Sequence, residues 1–421
     1  MSDDARNNLA RSTAETVARQ SYGKLVAFLA ARTRDVAAAE DALSDAFVSA
    51  LADWPKNGCP LNPEAWLLTA ARRKAIDVHR GRRRHEVAAD ELRALEEGLK
   101  TVEGDAHIPD QRLALMFACS HTAIDATVRA PLILQVVLGL DAGAIASAFL
   151  TSPAAMGKRL VRAKEKIKQA GIPFRIPEPE ELGRKLDAVL DAIYAAFAEG
   201  WTDPAGTDAA RRDLTEESLF LAQLVTELLP QNAEALGLLS LMLHAEARRG
   251  ARRTEDGEFI PLAEQNPHLW NQEMMQRAEG LLLQASKLRA PGRYQLEASL
   301  QSAHVFRCRT GHWNWPEIVQ LYDALFLITG SPVVAVNRAL AIAETEGAEA
   351  GLEILRKLGG DRRLAEYQPY WAAQAELLTR TKARDRAHRA YEIAIGLERD
   401  EAVRRFLQRR QSALTSRSKP A

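Results

Sequence analysis

Apolar residues recur at intervals of three and four along most of the chain, which is the period of an amphipathic α-helix. Within residues 35–54, Asp41 and Asp45 fall on the opposite face from the apolar positions. Those apolar positions are Val36, Ala39, Leu43, Phe47, Ala50 and Trp54. Aromatic residues make up only 6% of the chain, and β-branched residues are sparse beside Ala, Leu, Arg and Glu. We therefore predict an all-α fold, because this composition disfavours β-sheet.

A second helix is predicted to follow a loop over residues 55–62, with Asn62 as N-cap and Pro63 at its first position. Leu67, Ala71 and Val78 form its apolar stripe. Another face combines an aromatic residue with charged ones: Trp66, Thr69, Arg73, Asp77 and Arg80. Single-stranded nucleic acid could stack a base on the indole while the arginines neutralise phosphates. The alternative interpretation, that Trp66 packs into the core and the arginines are solvated, stays open.

A helix, a short turn and a capped basic helix are predicted near residue 150. Residues 110–138 read as two short helices broken near Arg129 and Pro131, followed by a helix over 142–149. Ser152 is then an N-cap and Pro153 opens a helix that runs to Gln169. This order is typical of a helix-turn-helix, whose second helix can lie in a DNA major groove. One face of that helix is basic through Lys158, Arg159, Arg162 and Lys166.

The distribution of charge is more informative than its total, since the chain has 56 basic and 56 acidic residues. Basic residues concentrate in 72–84 and 158–168, whereas 86–105 is acidic and poor in apolar groups. We predict that residues 86–106 are a flexible, acidic linker. Two basic spots on either side of this tether are the first indication of a nucleic-acid-binding protein, although a single basic run is usually a solvated helix face.

Other chemistry finds little support in the sequence. Three isolated cysteines exclude a disulfide framework, and no apolar run approaches the length of a membrane span, so we expect a cytoplasmic protein with no membrane partner. His304, Cys308 and His312 are ligand types that zinc accepts, but they drift around a helix and lack a fourth ligand. No nucleophile arrangement or phosphate-binding loop stands out. We therefore expect neither catalytic residues, nor a metal or other cofactor, nor an enzyme.

Residues 174–415 are rich in Ala and Leu and helical in period. Helix pairs recur loosely, as in 335–346 with 350–358 and 370–380 with 383–397. Small residues in the last pair resemble tetratricopeptide packing, where paired helices meet closely. We predict an α-helical repeat domain here.

The ordered motifs of the first 173 residues resemble those of a bacterial sigma factor of the extracytoplasmic-function type. Residues 41–47 look like the region 2 helix that docks on core RNA polymerase, and 65–80 resemble the helix that reads the −10 element. The resemblance implies a region 2 bundle over 10–85 and a region 4 helix-turn-helix over 107–173. It assigns core docking to Asp41, Asp45 and Val48. Contacts to the −10 region would be made by Trp66, Thr69, Arg72, Arg73, Lys74, Asp77, Arg80, Arg82 and Arg83. Contacts to the −35 region would be made by Ser152, Ala155, Lys158, Arg159, Arg162 and Lys166.

The implied partners are core RNA polymerase and promoter DNA, double-stranded at −35 and single-stranded at −10. The extension resembles that of a sigma subgroup with a C-terminal helical domain, which implies that it regulates sigma activity and is a candidate surface for a regulatory protein. Two other classes remain: a helix-turn-helix regulator that never binds polymerase, and a helical-repeat scaffold. The Trp66 face argues against the first, and the capped basic helix argues against the second.

Overall fold

The computed structural model describes residues 3–82, 110–149, 151–201 and 209–416. It is 79% helical, and the described residues form no strand beyond an isolated bridge between Arg253 and Phe259. The predicted all-α fold is confirmed. In the described ranges, none of the helices has the length and apolarity needed to cross a membrane. The chain divides into two compact units, and among the described residues the boundary follows Leu221.

The helices of the first unit carry the segments with the basic clusters. They are α1 (Asp3–Thr33), α2 (Val36–Asn57), α3 (Pro63–Arg82), α4 (Arg112–Cys119), α5 (Ala126–Leu138), α6 (Ala142–Ala148), α7 (Pro153–Gln169), α8 (Pro179–Trp201) and the part of α9 (Ala209–Leu228) that ends at Leu221. The predicted linker, 86–106, lies entirely outside the described residues. The unit continues beyond the boundary predicted at residue 173, because α8 packs on α4 and α5.

A close approach between helices joins the two halves of the first unit. Helix α1 packs against α2 and α3, and also against α4 and α5. At Gly23 a Cβ atom would lie 1.9 Å from the carbonyl oxygen of Val137, so only glycine permits this approach of α1 to α5. Gly139 ends α5 with φ of 74° beside the ring of Tyr22. The segments predicted as regions 2 and 4 therefore share one packed unit.

Two predicted helix boundaries were wrong. Pro55 lies inside α2, which continues to Asn57 and ends at Gly58, where φ is 88° and the N–H donates to the Trp54 carbonyl oxygen at 2.9 Å. Pro131 and Arg129 lie inside α5, and the break comes earlier, at 120–125. The capping group decides this start, because the Asp125 carboxylate accepts a hydrogen bond from the Thr127 backbone N–H at 2.8 Å.

The second unit is an array of helices that pack mainly on their sequence neighbours. It contains the end of α9, then α10 (Ala233–Glu246), α11 (Gln272–Lys287), α12 (Arg293–Thr310), α13 (Trp315–Thr329), α14 (Pro332–Thr345), α15 (Ala348–Leu358), α16 (Gln368–Arg380), α17 (Arg384–Leu397) and α18 (Glu401–Ser416). Gly237 of α10 lies so close to the backbone of Gln295 in α12 that a Cβ atom would clash with it. The buried Ser240 hydroxyl donates to the Ala278 carbonyl oxygen at 2.8 Å.

A segment before α11 is tied to the last helix of the array. Arg253 Nη2 lies 2.6 Å from Asp400 Oδ2, just ahead of α18. The Glu258 carboxylate pairs with both Arg405, at 2.9 Å, and Arg409. The ring of Phe259 meets Phe406 edge to face, with centroids 5.6 Å apart. We call these contacts, made by residues 253–259 with 400–409, the end-to-end clasp.

The buried His244 and the half-buried His304 should make the second unit sensitive to acid. Burial, and then the charge of Arg248, lowers the pKa of His244 to about 4, while burial, Arg307 and Arg248 lower the pKa of His304 to about 4. The unfolded chain takes up these protons near pH 6.5, so stability is lost as the pH falls from about 6.5 to about 4. Each histidine should account for a loss on the order of 3 kcal/mol.

Urea unfolding at a series of pH values checks this expectation. His244→Leu should lose less stability on acidification than the wild type, whereas the exposed His268→Leu serves as control. Parallel pH profiles for His244→Leu and the wild type would contradict it.

Candidate nucleic-acid interface

The outer face of α2 presents exposed side chains to solvent. Val36, Ala39, Leu43 and Trp54 are buried as predicted, and Phe47 is only half-buried. Asp41, Asp45 and Val48 are exposed, with Val48 at 68%. Because these positions are spaced by four and three residues, they lie on one helix face. The structure thus brings the three predicted docking residues together on one surface, with two carboxylates followed by an exposed valine.

Helix α3 is oriented by its cap and its buried stripe. The Asn62 side chain accepts a hydrogen bond from the Ala65 N–H at 3.0 Å, which confirms the predicted N-cap. Leu67, Leu68 and Ala71 are buried. A contact that the sequence did not reveal holds the first turn: Glu64 accepts a hydrogen bond from Ser21 and lies 3.5 Å from the Lys24 ammonium.

Trp66 combines the two interpretations that the sequence left open. Its ring meets the buried Trp54 edge to face at 5.5 Å, yet the residue is only half-buried. Thr69, Arg73 and Lys74 are exposed beside it, and Arg72 is half-buried. One part of the indole therefore belongs to the core, and the rest adjoins a polar, basic surface. The side chains of Asp77, Arg80 and Arg82, and the whole of Arg83, lie outside the described residues.

Helix α7 is capped and amphipathic, as its sequence predicts. Ser152 Oγ accepts from the Ala155 N–H at 3.2 Å, and the buried side chains are Met156, Leu160, Ala163 and Ile167. The four basic residues predicted to face DNA are all exposed, and in the described part of the chain none of them forms an ion pair. They are Lys158, Arg159, Arg162 and Lys166. Ser152 is exposed and Ala155 half-buried at the start of the same helix.

A groove of about 460 Å³ runs along the basic face of α7. Arg159, Arg162 and Lys166 line one side, and residues 123–128 at the start of α5 line the other. The sequence did not reveal this second wall. The Asp125 carboxylate accepts from the Thr127 hydroxyl and N–H, and these bonds, with weaker help from Arg129 and Arg159, lower its pKa. The groove is thus cationic with one carboxylate at its edge.

The remaining lysines of α7 face α2 instead. Lys164 Nζ lies 2.5 Å from Glu40 Oε2, and both side chains are only 12% exposed. Lys168 Nζ lies 2.7 Å from Asp35, which also caps α2 through the Ala38 N–H. The sequence predicted one basic face on this helix and no partner for Lys164 or Lys168, whereas the structure divides the cations of α7 between an open edge and an internal contact.

His304, Cys308 and His312, the three residues of types that zinc accepts, do not share one helix. Helix α12 ends at Thr310, so His312 lies beyond the helix that carries His304 and Cys308. Within the described ranges, no group of three or more His, Cys, Asp or Glu side chains is placed to hold a metal ion.

Comparison with known proteins identifies the domain that carries the α2 and α3 surfaces. Residues 17–85, which contain the acidic face of α2 and the Trp66 face of α3, match Sigma-70 region 2. The chain carries a Sigma-70 region 2 domain. A region 2 of this family implies binding to core RNA polymerase and promoter DNA in transcription initiation.

A second family model matches a segment outside region 2. Residues 185–286 match a family of unknown function, DUF6596, which begins in α8 of the first unit and ends in α11 of the second. The protein is 35% identical over 383 residues to Uncharacterized protein R00370 of Rhizobium meliloti (strain 1021), covering 90% of this chain and 89% of that one. The similarity therefore extends over most of both chains. No solved structure matches the chain.

Proposed function

We propose that this protein is a promoter-specificity subunit of RNA polymerase of the extracytoplasmic-function type. The observation that carries the proposal is the pair of exposed cationic surfaces in one unit, on α3 beside Trp66 and on α7 beside the groove. The first suits unpaired bases, because an aromatic face stacks a base at about 1–3 kcal/mol while neighbouring cations hold its phosphates. The second suits duplex DNA, because a capped helix with basic side chains fits a major groove.

Each proposed contact has a definite role. Asp41, Asp45 and Val48 dock on core polymerase, and the α3 surface captures the −10 element as it melts. Helix α7, as the second helix of a helix-turn-helix, reads the −35 element. Capturing a flipped base offsets an unstacking cost of a few kcal/mol, so opening needs no nucleotide hydrolysis by this chain. The protein is on this proposal a non-enzymatic, cytoplasmic transcription factor.

The second unit is proposed as a regulatory domain. Its helices pack mainly on their neighbours, as helical repeats of the tetratricopeptide kind do, and such arrays present extended binding surfaces. A regulatory protein is the partner class that fits this architecture. This role separates the chain from a two-module sigma factor, which has no such extension.

Transcription in vitro tests the proposal. Purified full-length protein and core polymerase are incubated with a pool of genomic fragments, and RNA 5′ ends are sequenced. We expect initiation at a small set of sites that core alone does not use. Absence of any association with core polymerase would overturn the proposal and favour a regulator that acts without it.

Trp66→Ala should block promoter opening by the holoenzyme and spare binding to closed duplex. The substitution removes the stacking surface, and Trp66→Phe, which keeps a ring, should retain most of the activity. Permanganate footprinting measures opening, and a gel-shift assay measures duplex binding. Because Trp66 also contacts Trp54, thermal melting of both variants accompanies the assays. Normal opening by a well-folded Trp66→Ala protein would contradict the single-strand assignment.

Arg159→Ala and Arg162→Ala should each weaken binding to −35 duplex. If each side chain neutralises one phosphate, the slope of log K against log salt concentration should fall by about 0.9 per substitution. Lys185→Ala, at an exposed lysine of α8 that pairs with Glu181 one turn away, is the control. The slopes are measured by titrating −35 duplex with each protein at several salt concentrations. Slopes equal to that of the wild type would show that neither arginine contacts a phosphate.

A further inference from the structure

Two arginines of the second unit lack the carboxylate partners that neighbouring arginines have. In residues 248–253, Arg249 and Arg253 each pair with a carboxylate, at 2.8 Å and 2.6 Å. Within the described ranges, Arg248 and Arg307 of α12 form no such pair, although Arg248 is only 7% exposed. Burying a cation without a counter-ion is costly. An anion from outside the chain would therefore stabilise this region.

The two arginines act on the same part of α12. Arg248 Nη2 donates a hydrogen bond to Gln301 Oε1 at 2.5 Å. His304 and Cys308 lie on the same helix face as Gln301, because they follow it by three and seven residues. Burial lowers the pKa of His304, and the charges of Arg307 and Arg248 lower it further. Both charges also oppose the rise that burial causes in the pKa of Cys308. These residues therefore form one cationic cluster.

Buried N–H donors in this cluster lack acceptors. Arg307 packs its guanidinium over the ring of Trp315, 4.6 Å from the centroid, and its buried Nε has no acceptor among the described residues. The same holds for the indole Nε1 of Trp270, which packs in one apolar cluster with Cys308. A buried donor that loses its bond to water and gains no other is costly. A ligand with several acceptor oxygens would satisfy these donors.

The carboxylate of Glu279 approaches this region from α11 but is already engaged. Its Oε1 lies 3.5 Å from His244 Nε2, and its Oε2 accepts a hydrogen bond from the Ser302 hydroxyl at 2.9 Å. In the part of the chain that the structure describes, it forms no ion pair with Arg248 or Arg307. Glu279 therefore does not neutralise the two arginines.

We propose that Arg248, Arg307 and the Trp270 indole N–H, which we call the arginine site, bind the terminal phosphate of a small phosphorylated molecule. A phosphate monoester carries nearly two negative charges near neutral pH and three strong acceptor oxygens. The planar fork of a guanidinium matches these oxygens. Because Arg248 is only 7% exposed, a small terminal group fits the site better than the phosphodiester backbone of a nucleic acid. This ligand goes beyond the proposed function, which gives the second unit only a protein partner.

Isothermal titration calorimetry of the free, full-length protein tests the ligand class. The probes are inorganic phosphate, the monoester glycerol 3-phosphate and the diester dimethyl phosphate. We expect saturable binding of the first two at a single site, and binding of the diester that is at least about tenfold weaker, since a diester offers fewer charged oxygens. Absence of saturable binding of phosphate and monoester would overturn the site. Equal affinity for the diester would overturn the assignment to a terminal phosphate.

Arg307→Gln should weaken the binding of glycerol 3-phosphate by at least about tenfold, because it removes charge-assisted hydrogen bonds. Arg309→Gln removes an exposed arginine from the same helix and is the matched control. Circular dichroism shows that each variant is folded. Equal weakening by the two substitutions would indicate a general effect of charge and overturn the arginine site. So would unchanged affinity in the Arg307→Gln protein.

The thiol of Cys308 reports the location of the anion in the unaltered chain. This cysteine is half-buried, as is Cys59 in the first unit. A phosphate at the arginine site should cover the Cys308 thiol and disfavour its thiolate, which is the reactive form. Alkylation by iodoacetamide, followed by mass spectrometry, should therefore slow severalfold at Cys308 and remain unchanged at Cys59 when phosphate is present. Saturable phosphate binding with an unchanged rate at Cys308 would place the anion elsewhere and overturn the proposal.

Discussion

A chain that ends at Phe174 is expected to lose the cooperative folding of its first unit. This truncation removes α8, which carries five large apolar side chains that are almost completely buried. They are Leu186, Val189, Leu190, Ile193 and Phe197. Burying five such side chains contributes roughly 7–15 kcal/mol at about 1.5–3 kcal/mol each. That is comparable to the whole stability of a domain, about 5–15 kcal/mol. Without α8, the surfaces of α4 and α5 that it covers would be exposed to water.

Urea unfolding followed by circular dichroism checks this, with a chain that ends at Leu221 as the control. The longer chain keeps α8 and the buried Leu214, Ser218 and Leu221 of α9, and should unfold in one transition. Equal midpoints for the two chains would show that α8 is dispensable. A test of what the second unit does should therefore remove residues after Leu221 rather than after Phe174.

Gly23→Ala is expected to destabilise the first unit by about 3 kcal/mol, the upper part of the range for overpacking. The new methyl would lie 1.9 Å from the Val137 carbonyl oxygen. A backbone atom cannot rotate away as a side chain can, so α1 and α5 must separate. Differential scanning calorimetry of the full-length protein should show a lower midpoint for one transition only.

Gly183→Ala provides the comparison, because a Cβ atom at this position in α8 meets nothing within 4 Å. Replacing an unhindered helical glycine should be neutral or stabilising by up to about 1 kcal/mol. If both variants melted alike, the close approach of α1 to α5 would have no energetic weight.

Local features were predictable because they depend on neighbours in the sequence. The Asn62 and Ser152 caps and the buried stripes of α2 and α7 each follow from residues within a few turns. The end of α2 was missed because a left-handed glycine, Gly58, terminates it rather than Pro55. Pro55 lacks an N–H and so removes one hydrogen bond from the last turn of α2. The helix still continues to Asn57, where the Gly58 N–H donates to the Trp54 carbonyl oxygen.

Contacts between distant segments were not predictable from the pattern of residues. Lys164 and Glu40 are 124 positions apart, and a lysine that will face a carboxylate looks the same in sequence as one that will face DNA. The same reasoning applies to α8, whose amphipathic pattern indicates burial but not the surface that buries it. Its place on α4 and α5 follows only from the packed structure.

The end-to-end clasp limits how the second unit can vary in length. In an open stack of repeats, a further helix pair can be added at the end without disturbing the others. Here Glu258 meets Arg405 and Arg409 only if the intervening helices bring α18 back to residues 253–259. An inserted pair would carry the last helix past its acceptor and break the ring contact of Phe259 with Phe406. The number of helices between these two segments is therefore constrained, because the end-to-end clasp forms only when residues 400–409 reach residues 253–259.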